Sequence, residues 1–519
     1  MATDEPDDAA YLVSIVDALA VGLHYLPNLI FLPLAVACNV DTLDFVFLHI
    51  ITITMSLPSQ TSVLVVGAGP AGSFAACVLA REGVDVVLVD AEKFPRYHVG
   101  ESMLAAMRFL LRLIDITEKR EAFTDFTKAL GPGGHSWNVV RSESDDLLFP
   151  HAARSGAKTF DGRKVDAIHF EPYPHDGFDE PTHLANPGRP VSADWSCKDG
   201  TKGNIMFDYL VDASGRNGIV STKYLKNRRF NEGLKNIANW TYWKGAKRFN
   251  VGQPNENSPF FETLDDASGW VWAIPLHNGT LSVGIVARQD LFVTKKKQLG
   301  LTPQEFYCEY LKLAPQISAM LSDAEIVSDM KQASDWSYSA SAYAGPYFRI
   351  IGDRRLCRPL FLASRRGQAD ERAAAKWHGT KVAENYTRLL LIVMADGFDA
   401  AFKAIQSVIQ GVADTHLTDE QVQQRAVESV DFALNSFDVT PEQEKAMVDK
   451  VIRAAQAAPE TLQKMTPEEV DILKRMSHRV LHRNTTQENR GLAAFTGQVI
   501  DGLAANLERG DVGLIKVQA

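Results

Sequence analysis

Residues 63–72 read VLVVGAGPAG, residues 84–90 read VDVVLVD, and SFAACVLAREG lies between them. Val63 to Val66 form an apolar run of the length of a buried strand, the middle stretch has helical spacing, and the second run ends on Asp90. Strand, glycine turn, helix, strand and acid, in that order, predict a βαβ unit that binds a dinucleotide. Gly67 permits the tight turn, Gly69 lets the backbone approach a pyrophosphate, and Gly72 lets the helix pack closely, with Ala68 and Ala71 completing the turn. The helix N-terminus attracts phosphate charge, and Asp90 is placed to hold ribose hydroxyls. The turn alone does not distinguish NAD from FAD.

Composition sets the outer limits. With 519 residues, 45% hydrophobic and 23% charged, the chain can bury more than one core. A net charge of -10 and the lack of a dense Lys/Arg block exclude a phosphate-tracking surface, so no nucleic-acid partner is expected. Cys38, Cys77, Cys197, Cys308 and Cys357 lack CxxC spacing; they predict no disulfide framework and no metal site, and fit reduced thiols in a cytoplasmic chain. Residues 1–54 differ in character. They are strongly apolar, as an anchor would be, but Asp17, His24, Pro27 and Pro33 interrupt them and the start MATDEPDDAA is acidic. A membrane-anchored form is thus the alternative to a leader outside the folded body, with Met55 opening directly on the first strand.

Four further segments bear on the cofactor. FPRYHVGESML (Phe94–Leu104) follows the second strand, and WNVVRSESDDLLFPHA (Trp137–Ala152) puts Arg141 ahead of a helix. IMFDYLVDASGRNG (Ile205–Gly218) is a strand ending in a small-residue turn, and Trp270, Trp272, Ile274 and Pro275 spell WxWxIP. Together with the βαβ unit, these segments resemble the fungal flavin-dependent halogenases, relatives of the prenyl reductases and flavin monooxygenases. The resemblance spans nearly all of the chain from Met55 onward. It implies FAD as cofactor, arriving as FADH2 from a separate flavin reductase because no second nucleotide fingerprint is present. It also implies chloride as co-substrate and a phenolic, polyketide-derived aromatic as substrate. In such enzymes reduced flavin, O2 and chloride yield hypochlorous acid, which a lysine guides to an electron-rich ring. The resemblance sets Glu101 against the flavin, Arg141 near the cofactor, and Trp270, Trp272 and Pro275 along a tunnel that keeps substrate and flavin apart. Each has a plainer reading. Glu101 could be a cap partner or solvated carboxylate, Arg141 a surface arginine paired with Glu143 or Asp145, and the tryptophans alternate residues of a strand facing a core.

Two stretches depart from the family pattern. FRIIGD (Phe348–Asp353) fits its third flavin turn, where Asp353 contacts the ribityl chain. The continuation RRLCRPLFLASRRGQADERAAAKW is basic and keeps only Pro359, Ser364 and Gly367 of the flavin- and halide-binding pattern, so Ser364 and Gly367 are the halide candidates. Its arginines resemble the product of a shifted reading frame or altered splice. The family's reactive lysine lies in a KKLG-type segment, whereas here LLRLIDITE runs straight into KREAFTDFTKALGPGGHSWNVV. Lys119 and Lys128 are the nearest lysines; both read as solvated, and no catalytic residue is assigned.

The expected fold is α/β: a Rossmann-type FAD-binding domain over 55–220 and 335–380, an inserted β-rich substrate domain over 221–334, and a helical C-terminal region over 381–519. Three function classes follow: a halogenase of fungal secondary metabolism, an FAD-dependent monooxygenase or hydroxylase, and a non-catalytic halogenase remnant. WxWxIP argues against the second, and the two departures favour the third.

Overall fold

The computed structural model describes residues 56–103, 106–116, 123–125, 135–174, 178, 183–230, 235–249, 251–252, 256, 258–266, 268–334, 338–352, 361–395, 466 and 499–517. The leader, Lys119, Lys128, Asp353 and Pro359 lie outside the described residues.

β1 (Gln60–Val66), helix α1 (Pro70–Arg81) and β2 (Val86–Val89) form the βαβ unit, with β1 and β2 parallel and Val63 opposite Val86. Val63, Leu64 and Val65 are wholly buried, because a sheet covered on both faces takes an unbroken apolar run instead of an alternating one. Helix α2 (Ala106–Leu113), the hairpin of β3 (Phe123–Asp125) and β4 (His135–Trp137), and helix α3 (Arg141–Arg154) lead to β5 (Lys158–Phe160), which extends the parallel sheet beyond β2. β6 (Lys164–Glu171) and β7 (Arg189–Ser196) are antiparallel, and β8 (Lys202–Asp212) returns along the other side of β1, parallel to it. One sheet face buries Phe74, Cys77 and Leu79 of α1 against Leu148 and Phe149 of α3. The other buries Leu64 and Val87 against Val165, Trp195 and Val220.

The chain then passes through β9 (Arg228–Phe230), which belongs to neither large sheet, into a second sheet. Its strands are β10 (Asn236–Lys244), β11 (Phe260–Thr263), β12 (Gly269–Pro275) and β13 (Thr280–Arg288). After helices α4 (Gln289–Leu299), α5 (Pro303–Leu311) and α6 (Pro315–Met320) come β14 (Glu325–Ile326) and β15 (Lys331–Ser334), giving the order β11-β12-β13-β10-β14 with β15 also on β10. Helix α5 starts on a capping box between Thr302 and Glu305. One face of this sheet, with Val271, Ala273, Val283 and Ile285, packs on Phe306, Tyr307 and Ile317 of the helices. Its other face, with Trp240, Trp272, Ile274 and Val286, packs toward Val99 and Val140 of the first unit. Both faces are therefore apolar.

β16 (Tyr338–Ala340) pairs with β9, and β17 (Ala344–Gly345) and β18 (Phe348–Ile350) complete the first sheet beside β8. Helices α7 (Phe361–Arg365) and α8 (Glu371–Ala395) follow. The C-terminal end differs from a purely helical tail: β19 (Leu503–Asn506) and β20 (Gly513–Lys516) make an antiparallel hairpin. Short apolar stretches separated by Arg509 and Gly510 give the chain a partner strand before a helix can propagate. The hairpin docks through the Trp377 indole N–H on the Leu503 carbonyl and through Arg366, which bonds Val512 O and Glu82. Among the described residues no helix is long and apolar enough to cross a membrane.

Candidate active site

The glycine turn sits at the carboxyl end of β1. Gly67 has φ +99°, and a Cβ there would lie 2.4 Å from the Ala213 carbonyl oxygen, so the turn after β8 presses directly on it. A Cβ on Gly72 would lie 1.9 Å from the Gly67 oxygen. Gly69 is different. Its nearest neighbour would be Arg96 Nη2 at 3.9 Å, and as N-cap of α1 it offers no side-chain cap to the first turn. Crowded glycines on either side of an open one, at an uncapped helix N-terminus, form a cradle that fits a pyrophosphate. Asp212 holds the neighbouring turn by accepting from Ser214 N (3.0 Å) and Val220 N (2.9 Å).

Asp90 is 8% exposed and spans the same turn. It accepts from the Ala68 N–H at 2.7 Å and the Glu92 N–H at 2.9 Å, with Arg96 at 3.4 Å. Each carboxylate oxygen keeps acceptor capacity for a ribose hydroxyl. Arg96 also bonds Asp145 at 2.9 Å, and Asp145 holds Arg141 through Nε (2.9 Å) and Nη2 (3.0 Å). Arg141 is buried, and its Nη1 donates to the Val99 carbonyl at 2.8 Å. Arg141 does pair with Asp145, but the pair is buried. Arg141 braces the Val99-Gly100 backbone, where a Cβ on Gly100 would fall 2.8 Å from Nη1.

That brace presents Glu101, which is 3% exposed at the seam between the two sheets. It is no solvated carboxylate. The Tyr242 hydroxyl of β10 donates to its Oε1, and Ser282 of β13 bonds the carboxylate as well. Burial pushes the Glu101 carboxyl up from its ordinary range, against the opposing effect of the Ser282 and Tyr242 bonds and the Arg141 charge. Tyr242 is raised too, first by burial and then by the neighbouring carboxylate. Tyr97 meets the Tyr242 hydroxyl at 3.0 Å and accepts from Trp240 Nε1 at 2.7 Å. Arg96 and Tyr97 lie inside FPRYHVGES, Asp145 follows Arg141 by one helical turn, and Tyr242 shares the Trp240 face by strand alternation.

Trp270 and Trp272 line that face, 5.9 Å apart between ring centroids, with Trp240 6.2 Å from Trp272 and Phe261 5.8 Å from Trp270. Pro275 does not join them. It falls on the opposite face by the two-residue alternation of β12 and lines a cavity with Phe260, Ala273 and Leu281 on the helix-packed side. Ser364 bonds the Tyr209 hydroxyl at 3.1 Å, beside the middle of β8, and Gly367 lies in an exposed turn after α7. Tyr209 pairs with Val63, three residues back from the end of β1. Among the described residues no His, Cys, Asp and Glu cluster could hold a metal ion.

Comparison with known proteins agrees with this arrangement. A tryptophan halogenase profile matches residues 62–154 and 194–298. The flavin-dependent halogenase ptaM of Pestalotiopsis fici is 59% identical, covering 89% of this chain and 96% of that protein. The sulochrin halogenase gedL of Aspergillus terreus is 53% identical over 89% and 94%. In solved structures the fold matches CmlS, a flavin-dependent halogenase, at TM-score 0.56 and 21% identity, covering 88% of this chain and 84% of that one. It also matches the myxobacterial FAD-dependent halogenase CndH at TM-score 0.50 and 18% identity, covering 83% and 100%. The chain accordingly belongs to the flavin-dependent halogenases, FAD-dependent oxidoreductases that use FADH2 and chloride.

Proposed function

We propose that this halogenase chlorinates a phenolic, polyketide-derived aromatic at the seam between its two sheets. The observation that supports this reading is the meeting of the glycine-turn unit and the tryptophan face at one carboxylate: Glu101 comes from the first, while Tyr242 and Ser282 that hold it come from the second. Asp90, Gly69 and the open N-terminus of α1 would hold the FAD pyrophosphate and ribose. Bound in reduced form, FAD supplies the electrons that convert O2 and chloride into an electrophilic chlorine species. The chain's own residues do the rest. Trp240, Trp270 and Trp272 keep the seam dry, which protects a water-sensitive oxidant. Arg141 fixes the backbone that carries Glu101, and burial raises the affinity of that carboxyl for a proton. A flavin reductase is the proposed partner and the cytoplasm the proposed location.

The test supplies the purified protein with a flavin reductase, NADH, O2, chloride and a phenol, and reads the product by mass spectrometry. A chlorine isotope pattern that depends on chloride supports the reading; a hydroxylated product would make the chain a monooxygenase. The KKLG-type segment and the family-like continuation after Asp353 are absent from the sequence, and these absences favour a second reading, a remnant that binds FAD without turnover. In that case only a variant with both stretches restored chlorinates.

A further inference from the structure

The hydrogen bonds around Glu101 have a forced direction. An indole N–H can only donate, and two indoles close the two ends of this network. Trp240 Nε1 donates to the Tyr97 oxygen at 2.7 Å, and Trp272 Nε1 donates to Ser282 Oγ at 3.2 Å. Tyr242 donates to Glu101, so in the 3.0 Å contact between the tyrosines Tyr97 must be the donor. Both arms therefore point their O–H bonds at the Glu101 carboxylate. They differ in exposure. Ser282 and Trp272 are buried, so that arm ends on a group unable to accept a proton and only holds Glu101 in place. Tyr97 is 50% exposed, so the other arm runs from the protein surface to a carboxylate that is 3% exposed.

We infer that Tyr97, Tyr242 and Glu101 form a proton relay feeding the seam from the surface. This rests on the halogenase reading. Conversion of an arene, chloride, O2 and FADH2 into aryl chloride, FAD and two waters balances only if one further proton is consumed. Two of the four hydrogens in the waters come from FADH2, one from the ring and one from solution. A dry site needs a path for that last proton. As a solvent proton bonds to the Tyr97 oxygen, the Tyr97 proton moves to Tyr242 and the Tyr242 proton moves to Glu101. Three O–H bonds break and three form, leaving Glu101 neutral and both tyrosines with their hydroxyls intact. The charged and titratable groups around the path are Arg141 of α3, held by Asp145, Lys331 of β15 with Nζ 4.4 Å from the Tyr97 ring centre, and His98 beside Tyr97 with Nδ1 2.7 Å from the Val99 carbonyl oxygen. Tyr97 and Tyr242 act through Glu101 as positioning and relay groups.

The experiment uses Tyr242→Phe and Tyr97→Phe in the full chain with FAD bound. Flavin retention should be unchanged. Reduced protein mixed with O2 and chloride, where turnover consumes the extra proton, should return to oxidised flavin in stopped flow at least about tenfold more slowly in both variants. The rate should fall more steeply with rising pH and respond to D2O differently from the parent, and formic acid or imidazole should partly rescue Tyr97→Phe. Parent-like rates, pH profiles and solvent isotope effects in both variants would overturn the relay. A second readout needs neither turnover nor flavin: the infrared carboxyl bands assigned to Glu101 by their loss in Glu101→Gln. They should shift in Tyr242→Phe, and an unshifted band would overturn the relay. Failure of the parent to bind FAD would instead overturn the cofactor reading, and the infrared result would still decide the network.

Discussion

Gly284 of β13 lies flat beneath the indole of Trp272 on the neighbouring strand: a Cβ on Gly284 would sit 2.1 Å from Trp272 Cζ2. This glycine supplies space. The indole needs that space to reach Ser282 with its N–H, and through Ser282 the WxWxIP strand is joined to Glu101.

Gly284→Ala should therefore cost about 1–3 kcal/mol, the range for overpacking a filled site. It should also displace Trp272, seen as a shift in tryptophan fluorescence. Denaturant unfolding indistinguishable from the parent would show that the sheet absorbs the methyl group and that the packing is looser than described.

The glycine turn separates folding from binding. Gly72→Ala puts a Cβ 1.9 Å from the Gly67 carbonyl oxygen, a clash between backbone elements that should destabilise the fold by about 3 kcal/mol or more. Gly69→Leu meets no protein atom closer than 3.9 Å at its Cβ, so it should fold yet lose FAD. Circular dichroism melts and flavin absorbance after gel filtration check both. A Gly69→Leu protein that keeps its flavin would place the nucleotide elsewhere.

Asp145 is fully buried between Arg96 and Arg141. Replacing it with Ala takes this anion from Arg141 and leaves Arg96 with Asp90 alone, and breaking such a pair typically costs about 3–5 kcal/mol. Chemical denaturation would measure it. A loss below about 1 kcal/mol, as for an exposed pair, would contradict the burial of this network.

Glu101 makes stability depend on pH. Its folded-state affinity for a proton is raised, so the folded protein binds that proton more tightly than the unfolded chain does. The resulting stabilisation is complete below the usual carboxylate range and is lost as pH rises through that range toward the raised folded value. The stability of the parent relative to Glu101→Gln should fall as pH rises from the acid side of this window to neutrality. Thermal melts at a series of pH values would check this, and a difference that stays constant or grows with pH would refute the burial effect.

The dinucleotide unit was legible because its signals are local. Val63 to Asp90 hold strand, turn, helix and strand in one continuous stretch, and glycine spacing reports backbone geometry that neighbouring residues impose. Strand period likewise marked the tryptophans, and the same alternation assigns Pro275 to the other face. The sequence singles out Arg141 as a residue but not its task, because a buried anion four residues on and the carbonyl of Val99 across the fold define it.

From the sequence alone come the βαβ unit, the WxWxIP strand and the family resemblance, since each depends on residue order within a short window. The tertiary structure alone decided that Glu101 meets Tyr242, 141 positions away, that Trp272 reaches it through Ser282, and that the last residues form a hairpin held by Trp377 and Arg366. The physical reason is that a carboxylate's protonation and partners depend on burial and on atoms brought close by folding, and linear order records neither.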